Sequence, residues 1–467
     1  MARADEMKLF MEPRSIAAIG VSRRTGPGSF NLLENLLGYG YEGRLFPVNP
    51  NASEILGVKT YPHVGALPEA VDLALISLPR SLVSAAVTDC VAKGIKAVII
   101  ITQGFADADD EEGKQLQRDI VLIAAGGGTR ILGPNTFGVA NARLKMSTSY
   151  IRISMEPVAV GTISQTGGTF VGLNDIKLAG KAVDVGDACD VNVVDCLEYF
   201  EQDDQTRVIV VHTEGMPDAR EFLRVVRRVA LKKPVLTLKT GRTPQSARAV
   251  QSHTGALAGS DRLWDTALRQ AGVVRVGDIE ELADAIRAFL TLPAPAGNGI
   301  GLTTYTGGFG IIASDACGKY GMDLVEFAEP TLRGLRALAP EWMGVGNPFD
   351  IWPGVSILGK PRTEVERQGL RHVLSDPGVD AALMVLGAYD PRLGEELVPM
   401  AREAALMFPA KPLVFFAYGP HFAEVRRSLE TAGTTLVFPS PERAARALMH
   451  LRERAAYLAC RARRDGA

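Results

Sequence analysis

The sequence predicts an α/β fold with three units, each a doubly wound parallel sheet with helices on both faces. Short apolar runs typical of buried strands alternate with stretches of helical periodicity along most of the 467 residues. The alternation restarts near Val158, and again at Ile300 after a linker at 291–299 rich in Pro, Gly and small residues. Strands separated by helices pair in parallel, which predicts layered α/β units.

Composition narrows the functional classes. Hydrophobic residues make up 46% of the chain and charged residues 22%, which is ordinary for a globular protein. A formal net charge of −2 gives no field that would attract nucleic acid or anionic lipid, so small-molecule or protein partners are expected, with no nucleic acid and no membrane. The five cysteines lack paired spacing, which predicts neither a disulfide framework nor a metal site.

The start of the chain lacks a basic segment followed by an apolar core, and no apolar run approaches the length of a membrane span. We therefore expect an unprocessed cytoplasmic protein.

The predicted strands of each unit follow in order. In the first unit they lie at 16–19, 44–48, 72–77, 97–101 and 130–132. In the second they lie at 158–163, 207–212 and 234–238, and in the third at 301–304, 381–386, 413–416 and 435–438. Parallel strands present their carboxyl ends at one edge, where open α/β sheets place ligands.

The first strand runs into a glycine-rich turn, Gly20-Val-Ser22-Arg23-Arg24-Thr-Gly-Pro-Gly28, with a helix predicted from near Ser29. Such a turn places backbone N–H groups and the positive helix end on a phosphate. The spacing is not GxGxxG, and the second strand ends in Val48-Asn49-Pro50 with no carboxylate for a ribose hydroxyl, so NAD is disfavoured. Arg23 and Arg24 either suit a phosphate-rich ligand such as coenzyme A or are merely solvated.

Two further strand ends of the first unit, Ser77-Leu-Pro79 and the 133–138 segment containing Asn135, are expected at the same edge. In the second unit a strand leads into Ser164-Gln-Thr166-Gly167-Gly168, and a helix is predicted from Gly167. No side chain there screens the first amides, so a phosphoryl group could sit directly on them.

Glu214 follows another strand of the second unit. A carboxylate there could orient an imidazole, or it could simply cap the next helix.

His253 lies among small residues in 251–259, at the end of a run from 240 with almost no large apolar side chain. Such a run buries little surface, so we predict an exposed mobile loop. A neutral imidazole is nucleophilic near pH 7, so a tethered histidine could carry a group from one site to another. The alternative is a solvent-facing histidine without a role.

These segments together resemble a known family. Gly133-Pro-Asn135, Ser164-Gln-Thr-Gly167, Glu214 and the 252–259 octapeptide are similar to the α subunit of nucleoside-diphosphate-forming acyl-CoA synthetases, in the succinyl-CoA synthetase superfamily. The resemblance is strongest to the ADP-forming acetate–CoA ligases and covers nearly the whole chain. It implies a Rossmann-type CoA-binding domain at 1–145 and two flavodoxin-like ligase domains at 146–292 and 298–460.

The resemblance also implies a mechanism, in which CoA thiol attacks an acyl phosphate and the phosphoryl group passes through a phosphohistidine. It assigns the phosphohistidine to His253 and its partner to Glu214. The implied phosphate-binding residues are Ser164, Thr166, Gly167 and Gly168, with Gly307 and Gly308 at a second helix start in the third unit. The implied CoA-binding residues are Gly20, Ser22, Arg23, Arg24, Val48, Asn49, Pro50, Ser77, Pro79 and Asn135.

Activating a carboxylate with ATP needs a domain that grasps the nucleotide, and the three predicted units leave no room for one. We therefore expect a separate ATP-grasp β subunit that holds Mg²⁺ and ADP or ATP, in a heterotetramer acting on a small carboxylic acid or acyl-CoA. Two positions depart from the family, which usually has Asn at Tyr305 and at Asp187. These two departures leave open the alternative that the chain is a catalytically idle, CoA-binding regulatory subunit. Two other classes are disfavoured. A nicotinamide-dependent dehydrogenase would need a carboxylate for the ribose hydroxyl, which this sequence lacks at the end of the second predicted strand. A protein acetyltransferase would need an added acetyltransferase domain.

Overall fold

The computed structural model describes residues 3–26, 28–29, 31–168, 180–216, 218–254 and 260–465, with only the backbone described at 250–254 and 465. The chain forms two compact units, Met1–Ile279 and Glu280–Ala467. The helix at Ile279–Thr291 falls almost wholly in the second of them. The finer division at 1–145, 146–292 and 298–460 stays a prediction.

The described residues of the first compact unit form two large sheets and a two-stranded antiparallel sheet, Glu54–Ile55 with Val58–Lys59. Along the described residues its strands are β1 (Ser15–Ile19), β2 (Arg44–Val48), β3 (Glu54–Ile55), β4 (Val58–Lys59), β5 (Leu73–Ile76), β6 (Ala97–Ile100), β7 (Arg130–Leu132), β8 (Val139–Asn141), β9 (Met146–Ser147), β10 (Val160–Ser164), β11 (Lys181–Asp184), β12 (Val208–Thr213), β13 (Val235–Lys239) and β14 (Val274–Val276). Its helices are α1 (Arg3–Met11), α2 (Leu32–Tyr39), α3 (Arg80–Ala92), α4 (Glu111–Gly127), α5 (Val193–Gln202), α6 (Ala219–Lys232), α7 (Pro244–Thr254) and α8 (Asp261–Gln270).

The first sheet has five parallel strands in the order β2-β1-β5-β6-β7. Every residue of β1, β5 and β6 is buried, which is why these strands appear as continuous apolar runs in the sequence. The strand order reverses direction beside β1, so the turn after β1 lies at the edge where such sheets bind ligands. The predicted α/β class with parallel sheets is confirmed.

The second sheet has the order β14-β13-β12-β10-β11-β8-β9. Its first five strands are parallel, whereas β8 and β9 join antiparallel at one edge. The chain therefore passes from the last strand of the first sheet directly into the second. We did not predict β8 and β9, because strands of three and two residues carry almost no periodic signal.

A buried lysine fixes the N-terminal segment against the second sheet. The Lys181 side chain is 3% exposed, and its Nζ donates to Glu12 Oε1 at 3.0 Å, Tyr199 OH at 2.7 Å and Asp203 Oδ1 at 2.9 Å. A buried ammonium is tolerated because all three of its donors are used.

The second compact unit is a parallel sheet in the order β16-β15-β18-β19-β20, with β17 also paired to β15. Its strands are β15 (Gly299–Thr304), β16 (Asp323–Leu324), β17 (Phe349–Asp350), β18 (Ala381–Gly387), β19 (Leu413–Tyr418) and β20 (Thr435–Phe438). Its helices are α9 (Ile279–Thr291), α10 (Gly307–Lys319), α11 (Glu329–Arg336), α12 (Trp352–Ser356), α13 (Arg362–Ser375), α14 (Leu393–Met407), α15 (Phe422–Glu430) and α16 (Pro441–Asp465). In the described part of the chain, no helix combines the length and apolarity needed to cross a bilayer.

Candidate functional site

Two loops join the carboxyl edges of the two sheets in the first compact unit. They span 133–138, after β7, and 184–189, which begins with the last residue of β11. The backbone N–H of Asp187 donates to the Pro134 carbonyl at 3.0 Å. Gly186 has φ +55°, and a Cβ there would lie 2.3 Å from that same carbonyl oxygen, so the close approach requires glycine.

This contact produces a cavity of about 180 Å³. Four predicted site residues line it: Asn135 from the first sheet edge, and Thr166, Gly167 and Gly168 from the second. The other described lining residues are Ile101, Gln103, Thr136, Phe137, Tyr150, Gln165, Asp184, Gly186 and Asp187. Residues far apart in sequence therefore share one chamber.

The turn after β10 is shaped by Ser164. Its Oγ accepts from the Thr166 N–H at 3.0 Å and donates to the Thr166 carbonyl at 2.7 Å. Helical backbone then starts at Gly167, whose first N–H groups lack intrahelical acceptors. A Cβ on Gly167 would lie 1.4 Å from Phe137 Cε2, so the packing at this point requires glycine. The geometry suits an anion bound by backbone amides.

Gln165 links this turn to the neighbouring strand end, a role that we did not predict. Its Oε1 accepts from the Glu214 N–H at 2.7 Å and from Thr213 Oγ1 at 2.8 Å, and its Nε2 donates to the Gly215 carbonyl at 3.0 Å. An amide supplies both a donor and acceptors, which is what a bridge between two backbones needs. The only sequence signal was a glutamine between small polar residues at a strand end.

Glu214 directly follows β12 and is 7% exposed. The next helix, α6, is capped by Asp218, whose side chain accepts from the Glu221 N–H at 2.9 Å. Glu214 therefore is not the cap of that helix. Its carbonyl accepts from Lys239 Nζ at 2.7 Å, which fixes its backbone.

His212 lies beneath the same turn and is 4% exposed. Its Nδ1 is 3.5 Å from Ser164 Oγ, and its Nε2 is 3.3 Å from Thr240 Oγ1. Burial, and secondarily the positive charge of Lys239, lowers the pKa of His212 to about 4. The imidazole is therefore neutral at neutral pH and supports the turn as a hydrogen-bonding group.

His253 lies in α7, where we had predicted a loop. Ser246 N–H donates to Thr243 Oγ1 at 3.1 Å, and Thr243 N–H donates to Ser246 Oγ at 3.0 Å, so the two residues cap each other. Pro244 at the first helical position is favourable as well, since its missing N–H would have no helical acceptor. These local signals outweigh the lack of apolar surface. The His253 side chain and residues 255–259 lie outside the described part of the chain.

The turn after β1 brings three strand ends together. Gly20 has φ +83°, and a Cβ there would lie 2.3 Å from the Ser77 carbonyl oxygen. Gly20 N–H donates to the Val48 carbonyl at 3.2 Å, and Asn49 Nδ2 donates to the Val21 carbonyl at 2.9 Å. The predicted residues Gly20, Val48, Asn49 and Ser77 thus meet at one edge. Asn135 instead lines the cavity between the sheets.

Asn31 organises the rest of this turn and was not predicted. Its Oδ1 accepts from the N–H groups of Leu33 and Glu34, and its Nδ2 donates to the carbonyls of Ser22 and Arg24. The helix therefore begins at Leu32, three residues later than predicted from the glycines. A side-chain cap decides the boundary because it satisfies the first helical amides.

The predicted cations of this turn are exposed. Arg23 and Arg24 both face solvent, as do Pro50 and Pro79. A neighbouring cavity of about 460 Å³ is lined by Gly26, Gly28, Ser29, Asn31, Glu34, Asn35, Gly38, Tyr150, Ile151 and Arg152. Arg152, which we did not predict, supplies the positive charge among these described lining residues.

The second compact unit repeats the turn geometry of Ser164. Thr304 Oγ1 accepts from the Thr306 N–H at 3.2 Å and donates to the Thr306 carbonyl at 2.6 Å, and α10 begins at Gly307. Gly307 and Gly308 are both exposed. The same hydrogen-bond pattern therefore presents a second helix start to solvent.

Tyr305 directly follows β15, and its side chain packs against two neighbouring side chains. The guanidinium of Arg362 lies 4.0 Å from the centre of its ring, and Trp352 packs edge-on at 5.2 Å. The bulk of Tyr305 is accommodated by these contacts.

Two carboxyl groups give the cavity between the sheets its electrostatic character. Burial raises the pKa of Asp184 to about 6, against hydrogen bonds that the carboxylate accepts from Phe137 N–H and Gly186 N–H. Burial, and next the charge of Asp107, raises the pKa of Asp187 to about 7. Among the residues that the structure describes, no group of three or more His, Cys, Asp or Glu is arranged to hold a metal ion.

Comparison with known proteins gives two family matches. Residues 14–142 match a CoA binding domain, and residues 157–289 match a succinyl-CoA ligase like flavodoxin domain. The chain is 33% identical over 457 residues to the α subunit of ADP-forming acetate–CoA ligase I from Pyrococcus furiosus, covering 95% of this chain and 97% of that subunit.

The chain also matches a longer relative, ADP-forming acetate–CoA ligase II from Archaeoglobus fulgidus, at 36% identity over 388 residues. It covers only 56% of that relative's length, and the match spans 80% of this chain. Among solved structures, an acetyl-coenzyme A synthetase from Ca. Korarchaeum cryptofilum in complex with phosphate and ADP superposes with a TM-score of 0.85 at 30% identity. That match covers 98% of this chain and 99% of the other.

Proposed function

Because this chain belongs to the family of ADP-forming acetate–CoA ligase α subunits, we propose that it carries the acyl-transfer and phosphoryl-transfer centre of an ADP-forming acyl-CoA synthetase. The reaction interconverts acyl-CoA and phosphate with a carboxylic acid and CoA, through an acyl phosphate and a phosphohistidine at His253. The observation that carries this proposal is the shared cavity of Asn135 and the Thr166–Gly168 turn. The sheet within the match to a CoA binding domain and the helix start at Gly167 open into one chamber there.

In this proposal the amides of the 166–168 turn hold the phosphoryl group, and preorganised N–H groups stabilise its charge without reorganisation. Gln165 holds the turn against Glu214, so the phosphate site and the histidine's carboxylate partner keep a fixed spacing. The edge formed by Gly20, Val48, Asn49 and Ser77 binds CoA, together with Ser22, Arg23, Arg24, Pro50 and Pro79. Gly307 and Gly308 offer a second set of helix amides.

We further propose that a separate ATP-grasp β subunit binds Mg²⁺ and ADP or ATP, giving a heterotetramer. Two findings support this. The Pyrococcus furiosus relative, of which this chain covers 97%, is named an α subunit. The longer Archaeoglobus fulgidus ligase is covered to only 56% of its length. We place the protein in the cytoplasm, since all five cysteines are unpaired, as in a reducing compartment.

An idle CoA-binding regulatory subunit is the second candidate. It is favoured by the Asp187 carboxyl in the cavity, because an ionised carboxylate repels a phosphoryl group. This candidate predicts CoA binding without any phosphohistidine.

The test is to incubate the chain with labelled inorganic phosphate, Mg²⁺ and a panel of acyl-CoAs, and to look for acid-labile, base-stable label on the protein. We expect label that depends on one class of acyl group, which also identifies the acid. If label appears only after a candidate β subunit and ATP are added, the partner completes the site. No label under either condition, with CoA still bound, supports the idle subunit.

Asn31→Ala is expected to weaken CoA binding, because the Ser22 and Arg24 carbonyls lose their donor and the turn loosens. Losing the helix cap also lowers the free energy of unfolding by about 1 kcal/mol. The matched control is Asn192→Ala, which removes the cap of α5 in the same unit. Calorimetric titration with CoA should show weaker binding for Asn31→Ala alone, whereas both variants lose stability; equal CoA affinities would contradict the role of Asn31.

A further inference from the structure

The two carboxyl oxygens of Asp187 differ in their hydrogen bonding. Its Oδ1 accepts from Asn135 Nδ2 at 3.3 Å. Its Oδ2 is buried and has no hydrogen-bond partner among the described residues. Asp187 lines the same cavity as the 166–168 turn, so this oxygen belongs to the proposed reaction chamber. A buried polar atom is costly unless something else completes its hydrogen bonding.

The charges facing Asp187 are negative. Asp107 comes from the loop after β6, where its carboxylate accepts from Phe105 N–H at 2.6 Å and from Gly104 N–H at 3.1 Å. Asp184 lies on the segment of Asp187 itself, and the described cavity lining contains no Lys, Arg or His.

Two weaker acids complete the surroundings. The thiol of Cys189 lies on the same segment as Asp187, and burial together with Asp190 and Asp187 raises its pKa. Tyr150 also lines the cavity, and the pKa of its hydroxyl is raised by burial and by Asp184. Both groups are therefore neutral near pH 7. The side-chain amide of Asn135 and the backbone N–H of Asp107 favour the ionised form of Asp187. Burial, the charge of Asp107 and a hydrogen bond between the two carboxyl groups favour the neutral form, and together they outweigh those two donors.

A neutral carboxyl group changes what the cavity can bind. An ionised Asp187 would repel the phosphoryl group that the nearby amides are placed to hold. A protonated Asp187 carries one O–H donor, and Oδ1 is already engaged by Asn135, so the donor is on Oδ2. Protonated carboxyl groups in apolar sites can stabilise an oxyanion through such a bond.

We propose that Asp187 acts as a protonated catalytic residue whose Oδ2 hydroxyl donates a hydrogen bond to the carbonyl oxygen of the acyl group during acyl transfer. This inference rests on the proposed function. The phosphoryl group accepts hydrogen bonds from the backbone amides of the 166–168 turn, and the acyl oxygen accepts one from the Asp187 hydroxyl.

The transfer balances without a further reactant. The CoA sulfur forms a bond to the acyl carbon, and the carbonyl electron pair moves onto the oxygen that Asp187 binds. The pair then returns as the bond from carbon to the bridging oxygen breaks, and phosphate leaves with that bond's electrons. The thiol proton ends on the phosphate. Asp187 keeps its own proton throughout, and strengthens its hydrogen bond as charge develops on the oxygen.

Arsenate-dependent cleavage of acyl-CoA tests this step alone. Arsenate attacks the acyl carbon and displaces CoA thiol, which is detected, and the acyl arsenate then hydrolyses spontaneously to carboxylic acid and arsenate. Rates of the wild type, Asp187→Asn and Asp187→Ala are compared from about pH 6 to about pH 9. An asparagine donates from the same position but does not titrate. The wild-type rate relative to Asp187→Asn should fall about tenfold per pH unit above the Asp187 pKa. Asp187→Ala should be roughly 10²-fold slower than Asp187→Asn at every pH.

Asp107→Asn provides a directional control. It removes the charge that, after burial, contributes most to raising the Asp187 pKa, while keeping an oxygen to accept hydrogen bonds from the Gly104 and Phe105 N–H groups. The pH above which the arsenolysis rate falls should therefore be lower in Asp107→Asn than in the wild type. The ratio of each variant to Asp187→Asn cancels the titration of arsenate itself.

Stability gives a readout that needs no turnover. The folded pKa of Asp187 is raised above the unfolded value of 3.8, so the wild type gains stability relative to Asp187→Asn as the pH falls from about 7 toward that value. Denaturant midpoints should show Asp187→Asn more stable at high pH and the gap closing on acidification. Coincident pH profiles of wild type and Asp187→Asn, as expected if the Gln103 amide binds the acyl oxygen, overturn the role of Asp187. Absence of arsenolysis by the wild type with every acyl-CoA, both alone and with a candidate β subunit added, overturns the proposed function as well, and the stability gap still reports whether Asp187 is protonated.

Discussion

His253→Ala is expected to abolish incorporation of labelled phosphate into the chain. Alanine offers no nitrogen to form the phosphoramidate bond, and the proposed transfer to ADP requires that intermediate. The start of α7 is exposed, so the free energy of unfolding should change by no more than about 0.5 kcal/mol. The measurement is acid-labile label per mole of protein, together with the denaturant midpoint.

The same variant should retain arsenate-dependent cleavage of acyl-CoA, because acyl transfer precedes the histidine step. His63→Ala is the control, since His63 is exposed and lies outside the proposed sites. Label in His253→Ala equal to that in His63→Ala would refute the assignment of the phosphohistidine. Loss of arsenolysis along with the label would place His253 in the acyl-transfer step as well.

Gly167→Ala is expected to lower the rate of phosphate labelling by roughly 10²-fold, because small displacements of a positioning group have effects of that size. The new Cβ would lie 1.4 Å from Phe137 Cε2. The Phe137 ring stacks on Tyr150 at 4.8 Å and cannot move without disturbing it, so the helix start must shift instead. The measurement is the labelling rate as a function of phosphate concentration.

Gly126→Ala is the control for this change. Gly126 lies in α4 of the same compact unit, and nothing lies within 4 Å of a Cβ placed there. Alanine is the better helix former, so this variant should gain about 0.5–1 kcal/mol of stability and label normally. Unchanged phosphate dependence in Gly167→Ala would mean that the 166–168 turn does not hold the phosphate.

Most of the secondary structure could be predicted from the sequence because its signals are local. The buried strands β1, β5 and β6 appear as continuous apolar runs, and glycines mark the turns after β1 and β10. The family was recognisable for the same reason, since its motifs are short segments. The error at α7 also has a local cause, because the mutual cap of Thr243 and Ser246 was overlooked in favour of the missing apolar surface.

The sequence by itself determined the α/β class, the strand and glycine-turn positions and the family, since each depends on residues close together in the chain. Only the tertiary structure decided that the 133–138 and 184–189 loops meet, that Gln165 bridges to Glu214, and that Asp187 is buried beside Asp107. A pKa or a cavity depends on burial and on charges contributed by distant segments, so no local pattern encodes it. Asp187 therefore appeared in the sequence only as an added negative charge, whereas its environment in the fold favours a neutral hydrogen-bond donor.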